Sequence, residues 1–187
     1  MNNVYIALLH YPVYNKKGDV VTTAVTNMDI HDISRAGKTY GVKRFYIITP
    51  LEQQRQFVRR ILDHWQKGYG ATYNPCRKEA LDTTVIKSSL EDTLKEIEEE
   101  TGNGKVNLIV TGASLREKFL RFDDLNKKIS ENNSAYLLVF GTGWGIADEI
   151  TDKADYFIEP IRGSSKYNHL SVRSAVSIVL DRLLGKR

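Results

Sequence analysis

Two short apolar runs late in the chain, AYLLVF (135–140) and DYFIEPI (155–161), constrain the fold more than any other feature. Each has the length and the aromatic or β-branched content of a buried strand, and each runs out into glycine, where backbone can approach a ligand closely. After the second, Val172, Ala175, Val176, Val179, Leu180, Leu183 and Leu184 recur at helical spacing, so an amphipathic helix follows. Strand ends beside a helix start form a ligand cleft.

The preceding chain alternates in the same way. VYIALLHY (4–11) reads as a first strand stopped by Pro12 and the turn NKKGD. Residues 26–40 place Ile30, Ile33, Gly37 and Tyr40 on one helical stripe, with Thr26 or Asn27 as cap and Asp29 favoured by the helix dipole. Asp32 and Arg35 lie off that stripe at the spacing of a surface ion pair. RFYIITP (44–50) is a strand, followed by a helix with Phe57, Val58, Ile61, Leu62 and Trp65 on one face and Gln53, Gln54, Arg55, Arg59 and Arg60 on the other. That polar face is either solvated or set against phosphate. KGYGATYNPCRKEALD (67–82) reads as a long basic loop whose Tyr69, Tyr73, Arg77 and Lys78 suit stacking or pairing with nucleic acid. Strand TTVIKSS, a helix on Leu90, Leu94 and Ile97, strand VNLIVTGA (106–113) and helix LREKFLRFDDLNKKI (115–129) complete the series. Strands alternating with helices imply an α/β fold: a mostly parallel sheet with helices on both faces.

Several chemistries are excluded. No glycine turn follows the first strand, as a dinucleotide fold requires, and neither GxxxxGK[ST] nor GxSxG occurs. Cys76 is the sole cysteine, so no internal disulfide or thiolate cluster can form, and the four histidines fall at no metal-binding spacing; no metal is expected. No apolar run approaches the roughly 20 residues of a membrane helix, and the N-terminus lacks a signal pattern, so a cytoplasmic, membrane-free protein is expected. The net charge of +4 leans weakly toward anionic partners such as RNA. What remains is a loop cleft rich in backbone donors and acceptors, suited to an adenosine-like ligand.

Three stretches, VFGTGWGI, ADYFIEPIRG and KYNHLSVRSA, taken with Asp29, Arg35, Gly41 and Val42 upstream, carry a resemblance. Together the chain resembles the SPOUT, or α/β-knot, superfamily of S-adenosylmethionine-dependent RNA methyltransferases, in a bacterial branch related to the tRNA guanine-N1 methyltransferases. The ribose 2′-O branch has G-x-E-x-x-G, I-P-hydrophobic-x-G and S-L-N-hydrophobic-S-hydrophobic at the three stretches, and an Asn six residues before an Arg that precedes Gly-Val by six. Here Gly143 stands for the Glu, Glu159 precedes Pro160, Asn168 falls slightly early, and Asp29 replaces the Asn.

The resemblance implies that residues 1–187 form one SPOUT-type domain with a C-terminal trefoil knot. It implies S-adenosylmethionine as methyl donor and S-adenosylhomocysteine as product. The donor would lie among Thr111, Gly112 and Ala113; Phe140, Gly141, Thr142, Gly143, Trp144 and Gly145; Ile158, Glu159, Pro160 and Ile161; and Tyr167, Asn168, His169, Leu170 and Val172. Backbone would hold the adenine, with Leu170 and Ile158 as apolar walls, and packing is the plainer account of Trp144. Arg35 would activate or orient the nucleophile, with Asp29 or Asp32 as base for a ring-nitrogen acceptor. Asn168, Tyr167 and Arg173 would orient the acceptor or a phosphate, although Asn168 also suits a helix cap and Tyr167 plain packing. The implied partners are RNA, tRNA or rRNA, and a second copy of the chain joined through the knot helices. A knotted module that binds RNA or an adenosine metabolite without catalysis is the competing reading.

Overall fold

The computed structural model describes residues 3–102, 104–113 and 119–186. In chain order the elements are β1 (Val4–Leu9), β2 (Val13–Tyr14), β3 (Val20–Val21), α1 (Asn27–Thr39), β4 (Phe45–Ile48), α2 (Glu52–Gln66), α3 (Tyr69–Tyr73), α4 (Pro75–Leu81), β5 (Thr84–Lys87), α5 (Leu90–Glu100), β6 (Val106–Val110), α6 (Phe122–Glu131), β7 (Ala135–Gly141), α7 (Asp148–Thr151), β8 (Tyr156–Phe157) and α8 (Val172–Leu184). Six strands form one sheet in the order β5-β4-β1-β7-β6-β8, every pair parallel, while β2 and β3 form a small antiparallel hairpin.

The uninterrupted apolar runs explain the centre of the sheet. Along β1 alternate side chains point to opposite faces: Val4, Ile6 and Leu8 join one core cluster, Tyr5, Ala7 and Leu9 the other. Both faces must be covered, so the strand can contain no polar alternation. Helices α1, α2, α4, α6 and α8 supply the first cluster through residues such as Ile33, Val58, Leu81, Leu125 and Val179; α5 and α7 supply the second through Leu90, Ile97 and Ile150. Each such buried Leu, Ile or Val contributes about 1.5–3 kcal/mol. At Gly37 a Cβ would stand 3.4 Å from Ile6 Cδ1, so glycine there lets α1 lie close on the sheet.

Local rules fix the helix starts. Thr26, Ser89 and Ser171 cap α1, α5 and α8 by accepting from the backbone N–H three residues on. The segment 67–82, expected to be loop, is instead two short helices. Asn74 accepts from Arg77 N and Pro75 occupies the first helical position of α4, a cap-and-proline start hidden by the basic, tyrosine-rich composition. The last strand is shorter than its apolar run, because β8 is an edge paired only with β6 at Tyr156 and Phe157. Helix α6 begins at Phe122; the expected start near Leu115 lies outside the described residues.

Candidate functional site at the carboxyl edge of the sheet

Strands β7, β6 and β8 are neighbours and parallel, so the loops that leave them, residues 141–147, 111–113 and 158–171, emerge at one edge. The loops are tied to one another. Asn168 Nδ2 donates to the Ala113 carbonyl at 3.3 Å, joining the third loop to the first, and the Thr111 hydroxyl donates to the Val139 carbonyl on β7 at 3.0 Å. Ser171, not Asn168, caps α8, so Asn168 is left to this bridging bond.

The glycine loop is built against its own chain. Gly143 has φ +61°, and a Cβ there would stand 2.7 Å from the Tyr14 carbonyl oxygen; at Gly141 a Cβ would meet Ile146 Cγ1 at 2.5 Å. Trp144 N donates to the Tyr14 carbonyl and Tyr14 N to the Gly145 carbonyl, both at 2.8 Å, so the loop docks on the β2–β3 hairpin as a further strand would. Gly143 thus lets backbone pack on backbone, and Gly141 makes room for the Ile146 side chain. Gly112 is different: a Cβ there would meet nothing within 4 Å.

Thr142 anchors the same loop by donating to the Leu9 carbonyl, and its hydroxyl also bonds that of Thr23. The Thr23 hydroxyl also meets His10 Nδ1 at 3.0 Å, so the ring is tied to the same loop. His10 is fully buried at the end of β1, and its Nε2 has no partner among the described residues. Burial pushes its pKa from 6.5 down to about 4, against the opposing charge of Asp29. The imidazole is therefore neutral at physiological pH. Sequence reasoning gave His10 no role; the available signal was a polar ring closing an apolar strand run just before proline.

Of the other residues expected to hold the donor, Phe140, Ile158 and Pro160 bury their side chains, leaving only their backbone to the edge. Ile161 and Val172 are half-buried against the core. The Glu159 carboxylate accepts from Phe122 N at 2.7 Å and so caps α6, where a negative charge suits the helix dipole. Trp144 is 62% exposed, with the Lys16 ammonium 6.0 Å from its ring centroid, so core packing is not its role. Tyr167 and Leu170 are also exposed, and His169 meets the Tyr167 ring edge-on at 5.3 Å.

Beside these loops the first turns of α1 and α8 meet. Arg173 donates to Asp29 Oδ1 at 2.9 Å and stands 3.5 Å from Asp32 Oδ2. Asp29 is buried and also accepts from the Thr26 hydroxyl at 2.6 Å. The expected Asp32–Arg35 pair does not form, because Asp32 turns to Arg173. The Arg35 side chain is exposed and its guanidinium makes no hydrogen bond or ion pair among the described residues. Among the described residues no three His, Cys, Asp or Glu side chains gather to hold a metal ion, and no helix is long and apolar enough to cross a membrane.

The edge suits an adenosine-like ligand. Among the described residues the backbone N–H groups of Gly112, Ala113, Ile161 and Leu170 have no backbone partner, and Tyr167 and Leu170 add exposed apolar surface next to them.

The fold is that of an open parallel α/β sheet, the class in which ligand clefts form outside the carboxyl ends of the strands. The chain belongs to the SAM-dependent RNA methyltransferase family, whose model matches residues 3–185. It is 38% identical over 184 residues to an uncharacterized protein of Aquifex aeolicus, covering 98% of this chain and 89% of that one. It is also 38% identical over 183 residues to a tRNA (guanine-N(1)-)-methyltransferase of Oleidesulfovibrio alaskensis; the match takes in 98% of this chain but only 42% of that relative. Among solved structures it is similar in fold to the SpoU methyltransferase AviRb from Streptomyces viridochromogenes in complex with the cofactor AdoMet. That likeness has a TM-score of 0.57 at 12% identity and covers 98% of this chain and 58% of AviRb.

Proposed function

We propose that the chain binds S-adenosylmethionine across residues 111–113, 141–145, 158–161 and 167–172 and methylates RNA, with tRNA the first acceptor to test. The observation that carries this reading is the gathering of three strand-end loops at one edge, cross-linked by Asn168 and set beside the Arg173–Asp29–Asp32 cluster. The fold of an AdoMet-bound neighbour and the tRNA methyltransferase relative support it. The implied trefoil knot, a homodimer through the knot helices, and a cytoplasmic location complete the proposal.

Bound there, S-adenosylmethionine supplies a methyl carbon on sulfonium; the acceptor's electron pair forms the new bond while the C–S pair returns to sulfur, leaving S-adenosylhomocysteine. The chain's residues position the acceptor and remove its proton. Placement alone is worth up to roughly 7–11 kcal/mol in favourable cases, and a base adds on the order of 10²- to 10⁴-fold. Asp29 is spent on Thr26 and Arg173, whereas Asp32 is exposed and holds one longer contact, so Asp32 is the base. Arg35, one turn further along α1 and without a side-chain partner among the described residues, orients the acceptor or its phosphate.

Isothermal titration with S-adenosylmethionine and S-adenosylhomocysteine tests the cleft. Nucleoside mass spectrometry of tRNA from wild-type and deletion strains tests the reaction. Failure to bind either ligand would end the reading; binding without methyl transfer to tRNA or rRNA would favour a non-catalytic module.

A further inference from the structure

Away from the carboxyl-edge loops, a groove of about 470 Å³ opens between α1, α2 and α4, lined by residues that the mechanism leaves unused. At its centre is Trp65. His31 and His64 meet its ring edge-on at 5.3 and 5.2 Å, and the Arg77 guanidinium lies 5.0 Å from its centroid. Phe57, 42% exposed, and the exposed Arg60 border the same space, and no carboxylate lines it. Two polar atoms beside it, His31 Nδ1 and Arg77 Nε, are buried with no hydrogen-bond partner among the described residues.

The neighbouring helix extends this surface. Helix α3 packs on Trp65 through Gly70, where a Cβ would stand 2.7 Å from Trp65 Cε3. It displays Tyr69 and Tyr73 stacked at 5.7 Å, each 72% exposed. Exposed aromatic rings beside a groove that holds two arginines and no carboxylate in its lining match a ligand with flat π-faces and negative charge. Asn27 and His31 bring the groove to α1, the helix that carries Asp32 and Arg35.

We infer that this groove stacks unpaired bases of single-stranded RNA, with Arg60 and Arg77 on the phosphates, and so leads the acceptor strand toward α1. The inference rests on the RNA-methyltransferase reading for its choice of nucleic acid. Paired bases are already stacked within a duplex and cannot enter, so single strands are preferred.

The test uses the full chain and a fluorescein-labelled single-stranded oligoribonucleotide of about ten nucleotides, within the site sizes usual for such surfaces. Fluorescence polarisation should show Arg60→Glu, Arg77→Gln and Tyr73→Ala each weakening binding by about tenfold, with a hairpin duplex bound more weakly by the unaltered protein. Ultraviolet crosslinks should map to residues 57–77, and S-adenosylmethionine affinity should not change. Arg60 and Tyr73 are exposed, so their variants decide the matter if Arg77→Gln disturbs folding. Unchanged RNA affinity in those two variants, or crosslinks elsewhere, would overturn the inference and leave the groove to a protein partner. Groove-dependent RNA binding in a protein that ignores S-adenosylmethionine would overturn the methyltransferase reading while the groove stands.

Discussion

Arg173, in the first turn of α8, donates to Asp29, in the first turn of α1, across 144 residues of sequence. The bond fastens two helix starts together at the edge where the strand-end loops emerge. Asp29 is almost fully buried, so removing the arginine leaves a desolvated carboxylate whose remaining hydrogen bond among the described residues is the one from the Thr26 hydroxyl. Arg173→Ala should therefore cost on the order of 3 kcal/mol in urea unfolding. Asp29→Asn, which keeps an acceptor for Thr26, should cost less.

His10 makes stability depend on pH. Its folded pKa is depressed to about 4 from 6.5, so between these values the unfolded chain takes up a proton that the folded chain refuses. The His10 contribution should be fully kept above about pH 6.5 and lost as pH falls toward 4, by about 3 kcal/mol in all. Urea midpoints across that window should fall steeply for the wild type and more gently for His10→Asn.

The glycines at the carboxyl edge should separate into two kinds. Gly143→Ala forces a Cβ against the Tyr14 carbonyl at positive φ and should lose about 1–3 kcal/mol by thermal melting. Gly112→Ala meets open space and should melt within about 0.5 kcal/mol of wild type while weakening S-adenosylmethionine in titration.

Arg35→Ala should leave both folding and donor affinity nearly unchanged, because the exposed side chain has no partner to lose among the described residues. Methyl transfer should drop by about 10²-fold or more if the guanidinium orients the acceptor. Loss of donor binding instead would show that Arg35 is misassigned.

Asn168→Ala removes the side-chain bond that joins the first and third loops among the described residues. At about 1 kcal/mol for a neutral hydrogen bond, donor affinity should fall roughly fivefold in titration, with little change in melting.

Much of this architecture was legible in the residues. β1 and β7 declare themselves because a strand buried on both faces can carry no polar alternation, and α1 and α8 because their apolar residues recur at helical spacing. The loops could be placed at one edge because parallel strands share a direction. What escaped was non-local. Gly143 was open to reading as a place for ligand, since nothing near it in sequence announces that Tyr14 lies against it. Asp32 had a plausible local partner in Arg35 and a real one on α8. Helices α3 and α4 were obscured by a composition typical of loops, although Asn74-Pro75 carried the cap signal.

The register that sets Val4 beside Tyr136 and Leu9 beside Gly141 pairs two strands more than 130 positions apart in sequence at the centre of the sheet. The middle of the sheet therefore cannot be completed during synthesis until β7 has emerged, and any fragment ending before β7 carries β1 with one bare edge of unpaired backbone groups open to pairing with other nascent chains.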